Sequence, residues 1–227
     1  MENIKDNNYI VPIFVHTEVG GDNASNSIVT LAGNGFYIDD FFITAYHVIE
    51  GNEKINGQSN PFIIVDGKEK ELTLKDSYRC MSYPINPDNG TKGYEKGSSG
   101  DVAIFKMPGV KSDLVLADSL PRYGDTLDNI FYYEAPQAEG QQREEGQPMA
   151  DIYCWPTKGQ IFDEDGFLGN FFGAQMTPIH PKKGGSSGSP LFKGNVVYGV
   201  LHAGNTSHPE YCIFFSAQAI RQLISNS

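Results

Sequence analysis

KKGGSSGSP, residues 182–190, sets Ser186, Ser187 and Ser189 among glycines, between a pair of lysines and a proline. A serine hydroxyl is a poor nucleophile until a neighbouring base takes its proton. It also needs backbone N–H groups aimed at the oxyanion it creates, and glycines let the chain approach that closely. Gly185-Ser186-Ser187-Gly188 offers both features. A Ser/Gly run is equally what a linker looks like, so the stretch alone leaves both readings open.

Two other segments decide between them. In FITAYHVIEG, residues 42–51, His47 follows an apolar strand ending at Thr44-Ala45, which puts an imidazole at a strand end rather than deep in a core. In SSGDVAIFKM, residues 98–107, Asp101 stands at the mouth of another apolar run. An acid is costly to bury there without a partner, and a histidine N–H would satisfy it.

The surrounding chain is β-rich. YIVPIFVH, SIVTLA, GFYID, FFITA, FIIV, VAIFKM and VVYGVLHA are short apolar or alternating runs, separated by Gly, Asn, Asp and Pro. GFYIDDFFITA, residues 35–45, predicts a hairpin turning at Asp39-Asp40. SAQAIRQLISNS at the C-terminus predicts the one helix, capped by Ser216, with Ala219, Ile220, Leu223 and Ile224 on one face. The stretches at 86–100 and 134–150 are polar and Gly/Pro-rich, and read as surface loops. A boundary near DSLPRYGD, 118–125, predicts two halves, residues 1–118 and 119–227, each large enough for a small antiparallel barrel.

Composition narrows the partners. A net charge of −11 among 227 residues, with no basic cluster beyond Lys182 and Lys183, argues against nucleic acid. No run of about 18 apolar residues occurs and the first residues lack the pattern of a secretory signal, so no membrane association and a cytoplasmic location are expected, or a secreted one if a leader has been removed. Cys80, Cys154 and Cys212 are widely spaced and odd in number, which predicts reduced thiols. No His, Cys or Asp trio has metal-ligand spacing in the sequence, and neither a metal nor another cofactor is expected.

TAYHV, GDVAIFKM and GSSGSPL, in the order His, Asp, Ser, resemble the three catalytic segments of the chymotrypsin-like (trypsin-like) serine endopeptidases. Subtilisin-like and α/β-hydrolase enzymes run in other orders. The resemblance is to the bacterial glutamyl-endopeptidase branch, through GSP after the nucleophile, a GD-x-A-I-x-K segment and the terminal helix. It implies an all-β fold of two packed six-stranded antiparallel β-barrels with a C-terminal α-helix, and hydrolysis of peptide bonds in protein or peptide substrates through an acyl-enzyme.

Carried over by residue, the resemblance makes Ser187 the nucleophile, His47 the general base, and Asp101 the residue that orients His47. The N–H groups of Gly185 and Ser187 form the oxyanion hole. Ser186 stands where animal members hold an Asp that pairs with a new N-terminus, so activation by that ion pair is not implied. Pro181 replaces the acid that selects Arg or Lys.

YGVLHAGN resembles the pocket strand of that branch, with His202, Lys182 and Gly204 as substrate-binding residues and an acidic side chain preferred before the scissile bond. One extra residue separates Gly199 from His202, however, and a one-residue slip turns a side chain to the other face of a strand. A structural His202 packed or hydrogen-bonded near Asp101 is the other reading. His16 and His208 read as surface residues, and His180 as a loop residue. The alternative to an active protease is a catalytically silent binding module of the same fold, or an enzyme that requires an activating or regulatory protein.

Overall fold

The structure, a computed structural model, describes residues 9–19, 26–52, 59–82, 100–110, 112–134, 152–163, 170–179, 185–205 and 207–225. The two polar stretches read as loops lie almost wholly outside the described residues.

The first half folds from β1 (Ile10–Val19), β2 (Asn26–Ile38), β3 (Phe41–Thr44), the short helix α1 (Tyr46–Glu50), β4 (Phe62–Val65), β5 (Lys68–Glu71), β6 (Arg79–Met81) and β7 (Val102–Lys106). Its strands form one antiparallel sheet in the order β5-β4-β1-β2-β3-β7-β6. The β2–β3 hairpin turns at Asp39-Asp40, with Ile38 paired to Phe41 and Asp39 at φ 49°. The run SIVTLA and all of GFYID but Asp39 are parts of the single 13-residue strand β2. In β7, Val102, Ala103, Ile104 and Phe105 are all buried, so the strand is covered on both faces and shows an apolar run rather than alternation.

The second half contains β8 (Val115–Leu116), β9 (Thr126–Glu134), β10 (Ile152–Asp163), β11 (Phe171–Thr177), β12 (Pro190–Lys193), β13 (Val196–Gly204), β14 (Tyr211–Ser216) and α2 (Ala217–Ser225). Strands β12-β9-β10-β11-β14-β13 follow one another, and β13 pairs back to β12, closing a six-stranded barrel. Strand β8 adds to β13 in parallel. Ser216 caps α2, its Oγ accepting the Ala219 N–H at 3.3 Å.

Leu127, Ile161, Phe172, Ala174, Leu191, Leu201 and Phe214 pack into one buried cluster contributed by strands of the closed barrel. A larger core joins the two sheets: Ile13, Phe36, Phe42, Ile43 and Ile104 of the first share one buried cluster with Phe171, Val197 and Phe215 of the second, and with Ile220 of α2. Burying that apolar surface from both sides is what holds the halves together. No helix among the described residues is long and apolar enough to cross a membrane.

Candidate active site

Strand β3 ends at Thr44, and α1 begins two residues later with Ala45 as its N-cap, so His47 is presented in the first turn of a five-residue helix. Asp101 immediately precedes β7 and has no exposed surface. Its carboxylate is satisfied by three donors. The His47 backbone N–H reaches Oδ1 at 2.9 Å, while His47 Nδ1 and His202 Nδ1 reach Oδ2 at 2.7 and 2.5 Å. An ionised carboxylate only accepts, so both imidazoles carry their proton on Nδ1 and donate it. This network meets the cost of burying a charge.

His202 arrives there through a local irregularity. β13 and β14 pair Leu201 with Phe214, then Ala203 with Ile213, so His202 is an extra residue on its strand. A bulge of this kind re-aims a side chain. The His202 ring is 9% exposed, stands edge-on to the His47 ring at 5.7 Å, and meets the Phe171 ring at 5.4 Å. Burial, together with the positive charge of a protonated His47, holds its imidazolium form down to about 3, so His202 is neutral at physiological pH. Of the two readings the sequence leaves open for His202, the geometry matches the hydrogen bond to Asp101. A substrate-pocket role would have to be played without Nδ1.

His47, Asp101 and His202 each offer a ligand atom within 4.8 Å of the others, which makes them the candidate metal set among the described residues. Two donors on one zinc ion stand about 3.3 Å apart. The 2.5 and 2.7 Å separations are those of strong hydrogen bonds instead.

The serines separate by environment. Ser189 is fully buried, and its Oγ accepts from Asn129 Nδ2 at 3.0 Å, which makes it part of the framework. Ser186 closes a tight turn by accepting the Ser189 N–H at 3.2 Å. Ser187 is half-buried, between Gly185 at φ 87° and Gly188 at φ 84°. Its carbonyl accepts the Asn34 N–H from β2 at 2.8 Å, and the Gly188 N–H donates to Leu201 of β13 at 2.8 Å. A Cβ on Gly188 would run into the Asn34 carbonyl and Thr44 Oγ1. A Cβ on Gly33 would lie 3.1 Å from the Ser187 carbonyl and 2.8 Å from the Val48 side chain. The Ser187 turn and the helix carrying His47 are thus docked on the same strip of β2, at residues 33–34. Glycines make that approach possible.

Gly204 ends β13, exposed and opposite Cys212, two residues beyond His202. Lys182, with Pro181 and His180, lies outside the described residues. His16 bonds Glu69 at 3.1 Å and His208 lies 3.5 Å from Glu210, both on the surface. Burial pushes the Cys212 thiol up to about 11, which leaves it a thiol at neutral pH. The sequence reading missed Asn34 and α1. A polar residue between two glycines inside an apolar run was the available signal for Asn34.

Similarity to solved structures extends over nearly the whole chain. A mouse-brain serine protease, neuropsin, is 13% identical with a TM-score of 0.56, over 97% of this chain and 94% of its own. The fold is chymotrypsin-like. The active form of the Rv3671c protease of M. tuberculosis is 16% identical with a TM-score of 0.50, over 95% of this chain and 79% of its own. A scabies mite inactivated protease paralogue is 16% identical with a TM-score of 0.52, over 95% of this chain and 94% of its own. No protein-family model and no curated protein sequence matches the chain. At these identities it is the chymotrypsin-like fold that is shared, and both active and inactivated proteases carry it.

Proposed function

We propose that this protein is a serine endopeptidase in which Ser187 is the nucleophile, His47 the general base and Asp101 the residue that orients His47. The observation that carries the proposal is the two-point hold of buried Asp101 on His47, at 2.9 Å to its backbone N–H and 2.7 Å to Nδ1. That hold sets the tautomer and leaves Nε2 as the ring nitrogen able to accept a proton. Ser187 Oγ would attack the scissile carbonyl while His47 Nε2 takes its proton. The same proton then goes to the leaving amine, and water releases the acyl group by the reverse sequence. The Gly185 and Ser187 N–H groups would stabilise the oxyanion, each contributing about 3 kcal/mol to transition-state binding.

In this reading His202 serves Asp101 rather than substrate. Selectivity for an acidic residue before the scissile bond then belongs to Lys182 and Gly204, the other two substrate-binding residues the resemblance implies.

Incubating wild type, Ser187→Ala and Lys182→Ala with a diverse peptide library, and reading every new terminus by mass spectrometry, tests these assignments. Ser187→Ala should abolish all cuts while leaving Tm nearly unchanged. Persistent cutting by Ser187→Ala would refute the nucleophile. Lys182→Ala should lower the share of cuts after Glu and Asp, and an unchanged share removes the pocket assignment.

A further inference from the structure

Asn34 has no exposed surface, and its polar groups reach three separate parts of the fold. Its Nδ2 donates to the Tyr132 carbonyl on β9 at 3.1 Å and to the Gly185 carbonyl at 2.5 Å. Its Oδ1 accepts the Tyr132 N–H at 2.7 Å. Its own N–H donates to the Ser187 carbonyl at 2.8 Å, and its carbonyl accepts from Thr44 Oγ1 at 2.6 Å. The two bonds to Tyr132 copy a rung of a β-ladder, so the side chain ties the first sheet to the second barrel. The remaining bonds go elsewhere. Both Gly185 and Ser187, the residues whose N–H groups the proposed mechanism aims at the oxyanion, have their carbonyls held by Asn34.

Pinning those carbonyls fixes the peptide planes on either side of Ser186-Ser187, and the Ser187 N–H lies between them. Gly185, at φ 87° and without a side chain, has a backbone whose own conformational preferences restrain it little. A carboxamide supplies two donors and one acceptor without charge, which hydroxyl and carboxylate side chains do not.

We infer that Asn34 is a positioning residue for the oxyanion-binding turn: it sets residues 185–187 against β2, and so against His47, instead of merely joining the two sheets. The inference rests on Ser187 being the nucleophile. Catalysis of acyl transfer is sensitive to such placement, because the N–H donors must already point where charge will develop.

A fluorophosphonate probe tests it without a known substrate. Ser187 Oγ attacks phosphorus, fluoride leaves, the serine proton passes to His47, and the phosphoryl oxygen occupies the oxyanion site. Wild type should be phosphonylated at Ser187 and Ser187→Ala should not. Asn34→Ser, too short to reach Tyr132 or Gly185, should react at least tenfold more slowly at a temperature where its circular dichroism matches wild type. A rate within twofold of wild type would overturn the inference while leaving the nucleophile intact. Labelling of Ser187→Ala at the wild-type rate would instead overturn the underlying reading, and the inference with it.

Because removing a buried clasp can unfold a protein, a second measurement uses wild type alone. The Asn34 carboxamide protons, observed by NMR with asparagine-selective labelling, should shift and exchange more slowly once Ser187 is phosphonylated. Unchanged resonances and exchange rates would overturn the inference.

Discussion

The neutral state of His202 makes stability depend on acid. The unfolded histidine takes its proton near pH 6.5 and the folded one only at about 3, so between those values the unfolded chain holds the extra proton. Stability is unaffected by this group above pH 6.5, and below it falls by up to about 1.4 kcal/mol per pH unit. His202→Asn keeps an N–H near the position of Nδ1 and cannot titrate. Urea unfolding from pH 7 to 4 should therefore show a shallower acid limb for His202→Asn, and equal slopes would refute a buried neutral His202. At this scale the sequence was informative about His47 and Asp101, because an acid at the mouth of an apolar run demands a partner. It was silent about which way His202 points. The extra residue after Gly199 is visible in the sequence, but whether a strand absorbs it as a slip or a bulge depends on its partner strand.

Among elements, the tight turn after Ser187 carries the sharpest steric demand. Gly188 and Gly194 both have positive φ, at 84° and 61°, yet a Cβ at Gly194 meets nothing within 4 Å while one at Gly188 meets Asn34 and Thr44. Gly194→Ala should cost about 1 kcal/mol, from its backbone conformation alone. Gly188→Ala should cost about 3 kcal/mol or more, since it also pushes the turn off β2. Thermal unfolding of the two variants measures the difference, and equal costs would mean the turn is not packed as described. Strands such as β3, β4 and β7 were legible because their buried runs are apolar but for Thr44 at the end of β3. β10 was not, since it faces solvent along much of one side and contains Pro156, paired with Ile130. Helix α1 is too short to show a helical period. Asn34 made β2 look like two strands, because a polar residue flanked by glycines inside an apolar run resembles a break.

Over the whole molecule, one core cluster crosses from sheet to sheet, so the halves should not melt apart. The single tryptophan, Trp155 on β10, reports on the closed barrel, whereas far-ultraviolet circular dichroism reports on all strands. The two signals should give one coincident transition. Phe42→Ala, a truncation in the first sheet at a fully buried position, should lower both midpoints together at a cost of about 3 to 5 kcal/mol. A Trp155 midpoint left in place by that substitution would show two independent units.

The C-terminal helix bears on the order in which this chain can become whole. α2 buries Ile220 in the shared core, and Arg221 Nη1 bonds the Leu116 carbonyl at 3.1 Å on β8, the short strand through which the chain passes from one sheet to the other. During synthesis the crossing strand therefore lacks this tether until the last of the described elements has left the ribosome. A nascent chain stalled before residue 217 would carry His47, Asp101 and Ser187 without this clamp.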